Sequence, residues 1–328
     1  MSVKIIGIGK YLPERIVVND EISNHVDTSH EWIYDRTGIA QRHVATNESS
    51  LDMAARAAEQ ALEGIERESV GLVVFATITP DHITPSMAAE IKKALGLTNA
   101  VAFDINAACS GFIYAMWIAE SLMNGSIPAG EHAEGTGRAL VIGSERLTRI
   151  TNWEDRETCI LFGDGAGAAV LEKASEGRGI LSTYVKNYDD EKEAITCKAN
   201  YINSPFWEDD LTPEPLKMKG RVVFKFAVGA VEEVLKGALD KANMTYDDVD
   251  WFVLHQANGR IIQAIAQKIK QPLDKFQISI EKSGNVSSAT VPMALFDLKE
   301  TGNLKKGDIV ALVGFGGGLC AASAIIEW

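Results

Sequence analysis

A strand-like run occurs twice in this chain. Ser69-Val-Gly-Leu-Val-Val-Phe-Ala76 is unbroken and apolar, and Asp248-Val-Asp-Trp-Phe-Val-Leu-His255 echoes it. A second echo pairs Gly165-Ala-Gly-Ala-Ala-Val-Leu-Glu172 with Leu319-Cys-Ala-Ala-Ser-Ala-Ile-Ile-Glu327, with one extra residue in the later copy. Apolar runs this short, bounded by turn residues, read as buried strands. Between them lie stretches with apolar residues at helical spacing. Repetition of one strand–helix order predicts two α/β halves related by a pseudo-twofold, each built on a mixed sheet.

The intervening pattern fills in both halves. Helical spacing covers Leu51 to Leu62, Pro85 to Leu95, Val222 to Ala242, Gly259 to Ile269 and Ser287 to Thr301. Strands are expected at Val70 to Thr77, Ala100 to Ile105, Arg138 to Gly143, Val249 to Leu254, Phe276 to Ile280, Asp308 to Val313 and Ala321 to Trp328. The halves are set at 1–173 and 174–328. The run Lys186 to Lys219 is acidic, carries three prolines and lacks periodicity, so it reads as an excursion covering a pocket.

Bulk properties remove several function classes. The 328 residues are 46% hydrophobic and 23% charged, ordinary values for a globular enzyme-sized chain. No apolar run reaches the roughly 20 residues of a membrane helix, and the first residues read as a strand rather than a leader. A net charge of −13 argues against nucleic acid as a bulk partner. Four cysteines with no C-x-x-C spacing indicate free thiols in a reducing, cytoplasmic setting. The six histidines show no metal-ligand spacing.

Cys109 falls where a strand hands over to a helix. Phe103-Asp-Ile leads in, and Phe112, Ala115, Met116, Ala119 and Leu122 follow at helical spacing. Ala107, Ala108, Ser110 and Gly111 leave room for close approach. A thiol at a helix N-terminus is expected to favour the thiolate. Taken alone, such a cysteine is more often a small buried hydrophobe. Three further runs change that balance. Val253-Leu-His255-Gln-Ala-Asn258-Gly-Arg260 puts a histidine at a strand end, Ser283-Gly-Asn285-Val-Ser-Ser puts an asparagine ahead of a helix, and Gly314-Phe-Gly-Gly-Gly318 allows close backbone approach. Separately these read as a structural histidine, an N-cap and a turn.

Cys, His and Asn in that order, with the glycine-rich strand end, resemble the thiolase-like condensing enzymes. The similarity is strongest to the β-ketoacyl-ACP synthase III family. It spans the chain and includes Asp27-Thr-Ser-His-Glu-Trp-Ile33, Arg36-Thr-Gly-Ile39 and Phe162-Gly-Asp-Gly-Ala-Gly-Ala168. The resemblance implies a layered αβαβα thiolase-like fold, a homodimer, and decarboxylative Claisen chemistry with no permanently bound cofactor. Cys109 is then the nucleophile that takes an acyl group from acyl-CoA. The N–H groups of Cys109 and Gly317 form the oxyanion hole. His255 and Asn285 bind the malonyl-ACP thioester carbonyl and stabilise the enolate. Thr28, Trp32, Arg36, Arg156 and Asn258 belong to the coenzyme A site, with Trp32 and Arg156 stacking on adenine. Asn258 is also expected to support His255 and Asn285. Lys225, Arg260 and Lys268 match the basic patch for acyl carrier protein, and Phe315 shields the acyl thioester.

The chain departs from the family pattern at four places, one of them Asn187-Tyr-Asp-Asp-Glu-Lys-Glu193, which is more charged than the glycine-rich family counterpart. Thr84 stands where relatives carry Phe on a loop that closes the partner's acyl pocket, so longer primers are expected. Glu157 replaces a common glycine beside the adenine site. Residues 130–137 read as a longer surface loop. Two rival readings are a synthase III-like enzyme of secondary metabolism and a non-catalytic thiolase-fold scaffold. Retention of Cys109, His255 and Asn285 argues against the scaffold.

Overall fold

The computed structural model describes residues 2–125, 137–174, 179–199, 205–206 and 212–328. The expected loop at 130–137 lies outside them except for Gly137. The first part of the chain runs β1 (Ser2–Tyr11), β2 (Ile16–Val18), α1 (Asn19–Ile22), α2 (His30–Thr37), β3 (Gln41–His43), α3 (Ser50–Ala61), β4 (Val70–Ala76), α4 (Met87–Ala94), β5 (Val101–Ile105), α5 (Gly111–Asn124), β6 (Arg138–Arg146) and β7 (Asp164–Ala174). The rest runs β8 (Ile180–Asn187), β9 (Ile195–Thr196), β10 (Lys217–Met218), α6 (Gly220–Ala242), β11 (Trp251–Leu254), α7 (Gly259–Lys268), α8 (Ile280–Ser283), α9 (Thr290–Glu300), β12 (Ile309–Gly316) and β13 (Cys320–Glu327).

Two sheets carry the fold. One has strand order β1-β7-β6-β4-β5, the other β11-β12-β13-β8. Their directions match position by position. β4 is parallel to β6, β6 antiparallel to β7, and β7 antiparallel to β1. Likewise β11 is parallel to β12, β12 antiparallel to β13, and β13 antiparallel to β8. The expected strand at Phe276 to Ile280 occupies the place equivalent to β5 but shrinks to a single bridge, Phe252 to Phe276. Ile280 instead begins α8. The segment has one edge neighbour and turns away at once, so no ladder propagates.

Five layers result. Residues of α3 and α4 share one core with the outer face of the first sheet, including Met53, Ala57, Ile91, Val73 and Phe75. Residues of α6 and α7 do the same for the second, including Val231, Leu235, Ile262, Phe252 and Val313. Between the sheets lie α5 and α9, whose Phe112, Met116, Val291 and Leu295 join side chains from both sheets in one core. A helix buried on both faces must be apolar nearly all round. That requirement explains the run Gly111 to Met116, in which only Tyr114 is not buried.

β5 departs from expectation. It is an edge strand, half-exposed along its length, rather than a buried one. Its apolar composition meets solvent at Val101, and Trp117 of α5 is also exposed.

The turn Ser287 to Ala289 lies directly on β6. A Cβ placed on Gly143 would stand 2.7 Å from Ser288 O and 2.8 Å from Ser288 C, both backbone atoms. Replacement of Gly143 by Ala is therefore expected to cost about 1–3 kcal/mol, as overpacking commonly does. Thermal or urea unfolding checks this, and an unchanged midpoint would show that the turn yields freely.

Candidate active site

A cavity of about 650 Å³ reaches from the surface to Cys109, with His255, Asn285, Ser287, Phe315 and Gly317 on its walls. Each functional side chain arrives on a different element end. Cys109 sits in a single helical turn, Ala108 to Ser110, between β5 and α5. The end of β12 passes directly against it. A Cβ on Gly316 would lie 2.8 Å from Cys109 Cβ and 3.1 Å from its Sγ, so that position admits only glycine while Cys109 stays in place.

His255 follows β11 immediately. Its N–H donates to Val313 O at 2.7 Å, and the side chain is 1% exposed. Its Nδ1 lies 2.6 Å from Thr290 Oγ1, which in turn lies 2.9 Å from Ser287 O. A hydroxyl in this place serves either ring tautomer. With Nδ1 protonated it accepts from the ring and donates to Ser287 O. With Nε2 protonated it donates to Nδ1, and Ser287 O keeps the Thr290 N–H. The Phe315 ring packs edge-on against the imidazole, with centroids 5.1 Å apart.

Asn285 is held at both ends. Its backbone pairs with Leu161 O at 2.8 Å and Gly163 N at 3.0 Å. Its Oδ1 accepts from Ser287 N at 2.9 Å. With the oxygen committed, the amide orientation is fixed and Nδ2 is left as a donor. The turn carrying these residues is tied to the first sheet through Ser288. That hydroxyl reaches Ala76 O at 3.1 Å and donates to Glu145 Oε1 at 2.8 Å. Glu145 is fully buried and also accepts from Thr77, Ile78 and Thr79.

Burial dominates the electrostatics. It pushes the Cys109 thiol up to about 12. Lost hydration of a charged sulfur works against the thiolate expected at the start of α5, although Cys109 keeps part of its surface exposed to the cavity. Ser287 opposes this shift. Burial pulls the His255 imidazole down to about 3, so it is neutral at ordinary pH. The centre consists of a thiol, a neutral imidazole and an amide.

The mouth of the cavity carries Trp32, Arg36, Glu157, Arg221, Asn258 and Arg260. The guanidinium of Arg36 sits 4.2 Å from the Trp32 ring centroid and that of Arg156 sits 4.5 Å from it. Arg156 also donates to Asp27 O at 2.9 Å. Arg156 thus stacks on the indole itself, and the space expected between them for an adenine is closed in this structure. Thr28 Oγ1 is buried without a hydrogen-bond partner in the same region. Asn258, expected to support His255 and Asn285 through hydrogen bonds or a water, makes its direct side-chain bonds elsewhere. Its side chain caps α7 through Arg260 N at 2.8 Å and donates to Arg36 O at 3.0 Å. Ile195, Leu216 and Met218, which fall within the acidic run, line the cavity.

Five expected residues are not on the cavity wall: Thr28 and Arg156, which lie beside the Trp32 helix, and Lys225, Lys268 and Thr84. Lys225 is exposed on α6. Lys268 is at the far end of α7 from Arg260, with Nζ 2.7 Å from Glu232 Oε2. Thr84 is exposed on the loop between β4 and α4. Sequence reasoning missed Ser287, Thr290, Glu145 and Arg221. The run Ser283 to Thr290 carries an unusual density of hydroxyls on either side of Asn285, which was the available signal.

Comparison with known proteins agrees with this geometry. Residues 103–188 match the family model described as 3-oxoacyl-[acyl-carrier-protein (ACP)] synthase III, and 239–328 match the model of its C-terminal part. The chain is 44% identical over 330 residues to a β-ketoacyl-[acyl-carrier-protein] synthase III of Clostridium beijerinckii, covering 100% of this chain and 99% of that one. The chain belongs to the synthase III family. It is a condensing enzyme, an acyltransferase with the thiolase fold. The crystal structure of the 3-oxoacyl-[acyl-carrier-protein] synthase III from Aquifex aeolicus VF5 is 38% identical, covers 100% of both chains and superposes with a TM-score of 0.90. The priming β-ketosynthase of the R1128 polyketide pathway is 33% identical, with 99% of this chain and 96% of that one covered and a TM-score of 0.90. Among the described residues no helix is long and apolar enough to cross a membrane.

A poorly hydrated thiol of high pKa at the base of the cavity predicts a particular reactivity profile. Alkylation of Cys109 by iodoacetamide should rise steadily with pH through about pH 9, because only the thiolate reacts. Mass spectrometry of the Cys109 peptide measures this directly. A plateau reached near neutral pH would contradict the dominance of burial.

Proposed function

We propose that the chain catalyses decarboxylative Claisen condensation of an acyl-CoA primer with malonyl-ACP, the step that starts type II fatty-acid synthesis. The observation that carries this reading is one cavity holding Cys109 together with two neutral donors, His255 and Asn285. In the first half-reaction the Cys109 sulfur bonds to the acyl carbon. The bond from that carbon to the coenzyme A sulfur breaks, and the thiol proton leaves with coenzyme A. The N–H groups of Cys109 and Gly317 hold the oxyanion.

Malonyl-ACP then enters. His255 Nε2–H and Asn285 Nδ2 donate to its thioester carbonyl while the carboxylate departs as CO2. The enolate carbon attacks the acyl-Cys109 carbonyl, the Cys109 sulfur leaves, and a β-ketoacyl-ACP results. Neutral donors suit an oxygen that gains charge, since a carboxylate at Asn285 would repel it. Phe315 against the His255 ring keeps this end of the cavity apolar, which favours loss of a charged carboxylate.

Coenzyme A is assigned to the mouth at Trp32, Arg36 and Asn258, with Thr28 and Arg156 beside it. The buried, unpartnered Thr28 hydroxyl supports that assignment. Acyl carrier protein is assigned to the basic rim, with Arg260 and Lys225 its main contacts. Arg221 at the mouth adds to that rim. Lys268 belongs there only if it releases Glu232. A homodimer is supported by the half-exposed edge strand β5 with Val101 and Trp117. Four free cysteines support a reducing, cytoplasmic setting. The same reading divides the chain at 173/174, one residue before the end of β7.

Intact-protein mass spectrometry with acyl-CoA tests the first half-reaction, and release of CO2 from malonyl-ACP tests the second. Cys109→Ala should gain no acyl mass. His255→Ala and Asn285→Ala should still acylate but lose about 10²–10³ in decarboxylation, the usual cost of one such donor. An acylated Cys109→Ala, or a His255 variant that decarboxylates normally, would refute the assignment.

The primer is read as longer than the shortest acyl groups, because Thr84 would meet the partner's pocket with a small side chain. Each further methylene buried contributes about 0.8 kcal/mol. Octanoyl-CoA should therefore compete with acetyl-CoA for Cys109, and Thr84→Phe should restore preference for acetyl-CoA. An acetyl preference unchanged by that substitution would end this reading. The similarity to a polyketide priming ketosynthase supports a second one, with an unusual primer in secondary metabolism. A wider acyl-CoA panel separates the two.

A further inference from the structure

The hydroxyls of the turn from Ser287 to Thr290 are not equivalent. Ser288 Oγ is bonded to Ala76 O and Glu145. Thr290 Oγ1 is bonded to Ser287 O and His255. Ser287 Oγ is buried and has no hydrogen-bond partner, although the residue is only 1% exposed. A hydroxyl left unmade in such a place costs free energy that the fold could avoid with alanine. Yet the backbone of Ser287 is fully employed, its N–H on Asn285 Oδ1 and its carbonyl on Thr290. The side chain is thus separable from the backbone's positioning role.

Ser287 lines the same cavity as Cys109. The one chemical event there that needs a further donor is the appearance of negative charge on sulfur. Gly316 closes one side of that sulfur at van der Waals contact and offers it no side-chain donor. Resting on the acyl-Cys109 reading above, we infer that Ser287 is a further catalytic residue, whose hydroxyl donates to the Cys109 sulfur whenever that sulfur carries charge.

The donor acts at two moments. In acylation, sulfur becomes anionic as its proton departs and before the new carbon–sulfur bond is complete. In condensation, the carbon–carbon bond forms, the acyl carbon–sulfur bond breaks, and the thiolate reappears before taking a proton from solvent. Decarboxylation itself places charge on the malonyl oxygen and leaves sulfur acylated, so it does not call on this hydroxyl. Burial of the thiol makes the need acute, and the direction in which Ser287 shifts it is the one a donor to thiolate produces.

Ser287→Ala and Ser287→Gly test this in the full-length protein. Alanine preserves Cβ, and glycine suits the backbone φ of +46° at this position. Both should slow single-turnover acylation by acyl-CoA by about tenfold or more, the range of a hydrogen bond to a charged group. Iodoacetamide alkylation of Cys109 should slow as well. Malonyl-ACP decarboxylation should stay within about twofold, because the backbone contacts to Asn285 and Thr290 are retained. Acylation and alkylation at the parental rate in either folded variant would overturn the inference. An equal loss in all three assays would also overturn it, since that is the signature of a collapsed turn. Failure of the parent protein to acylate at Cys109 would instead strike the proposed function.

Discussion

The seat of the turn Ser287 to Ala289 on the bare backbone of β6 governs the site. Gly143 has no side chain to hold that turn away, and Ser288 bonds across to Ala76 and Glu145. Through this contact the second half of the chain delivers Asn285 and, by way of Thr290, His255 to a cysteine that belongs to the first half. Ser287 is the common point. Its N–H fixes the amide of Asn285 and its carbonyl receives Thr290, which holds the imidazole. A shift of the turn would displace both donors together, so their geometry is set by one packing contact instead of two.

Charge is arranged by exclusion of water. The chain carries a net −13, yet the reacting groups are a thiol, a neutral imidazole and an amide. Each has its ionisation suppressed by burial or lacks one. Glu145 is the charged-type residue nearest in this arrangement, and burial raises its pKa against four surrounding donors. The hydroxyls of Thr77, Thr79 and Ser288 and the N–H of Ile78 oppose that shift by bonding its oxygens. Positive charge is confined to the mouth, at Arg36, Arg221 and Arg260. Acidic substrates are thereby attracted to the rim of an acidic protein without a cation being placed at the thiol.

The internal echo made the fold legible. Val70 to Ala76 and Trp251 to Leu254 occupy the same place in two sheets of matching direction, as the letters implied. The failures have local causes. Phe276 to Ile280 has strand-like letters, but only one bridge forms and α8 begins at once. β5 is apolar without being enclosed in the single chain, because composition cannot distinguish a strand buried by its own fold from one at an edge. Asn258 lies beside His255 in sequence yet turns to cap α7, because a free helix N-terminus is the nearer partner for its oxygen.

What the sequence determined by itself was the set of chemistries: a cysteine at a strand–helix junction, a histidine at a strand end, an asparagine beside a glycine, and two repeats that must pack face to face. These follow from periodicity and residue type, which are local properties. Tertiary structure alone decided how those groups behave. Desolvation pushes the Cys109 thiol up, although its place at a helix start favours the thiolate. The two donors share one anchor because Ser287 lies between them, and Ser287 is left with a spare hydroxyl because its backbone is already committed. Burial and hydrogen-bond completion depend on what arrives from elsewhere in the chain, so no reading of neighbouring letters could have fixed them.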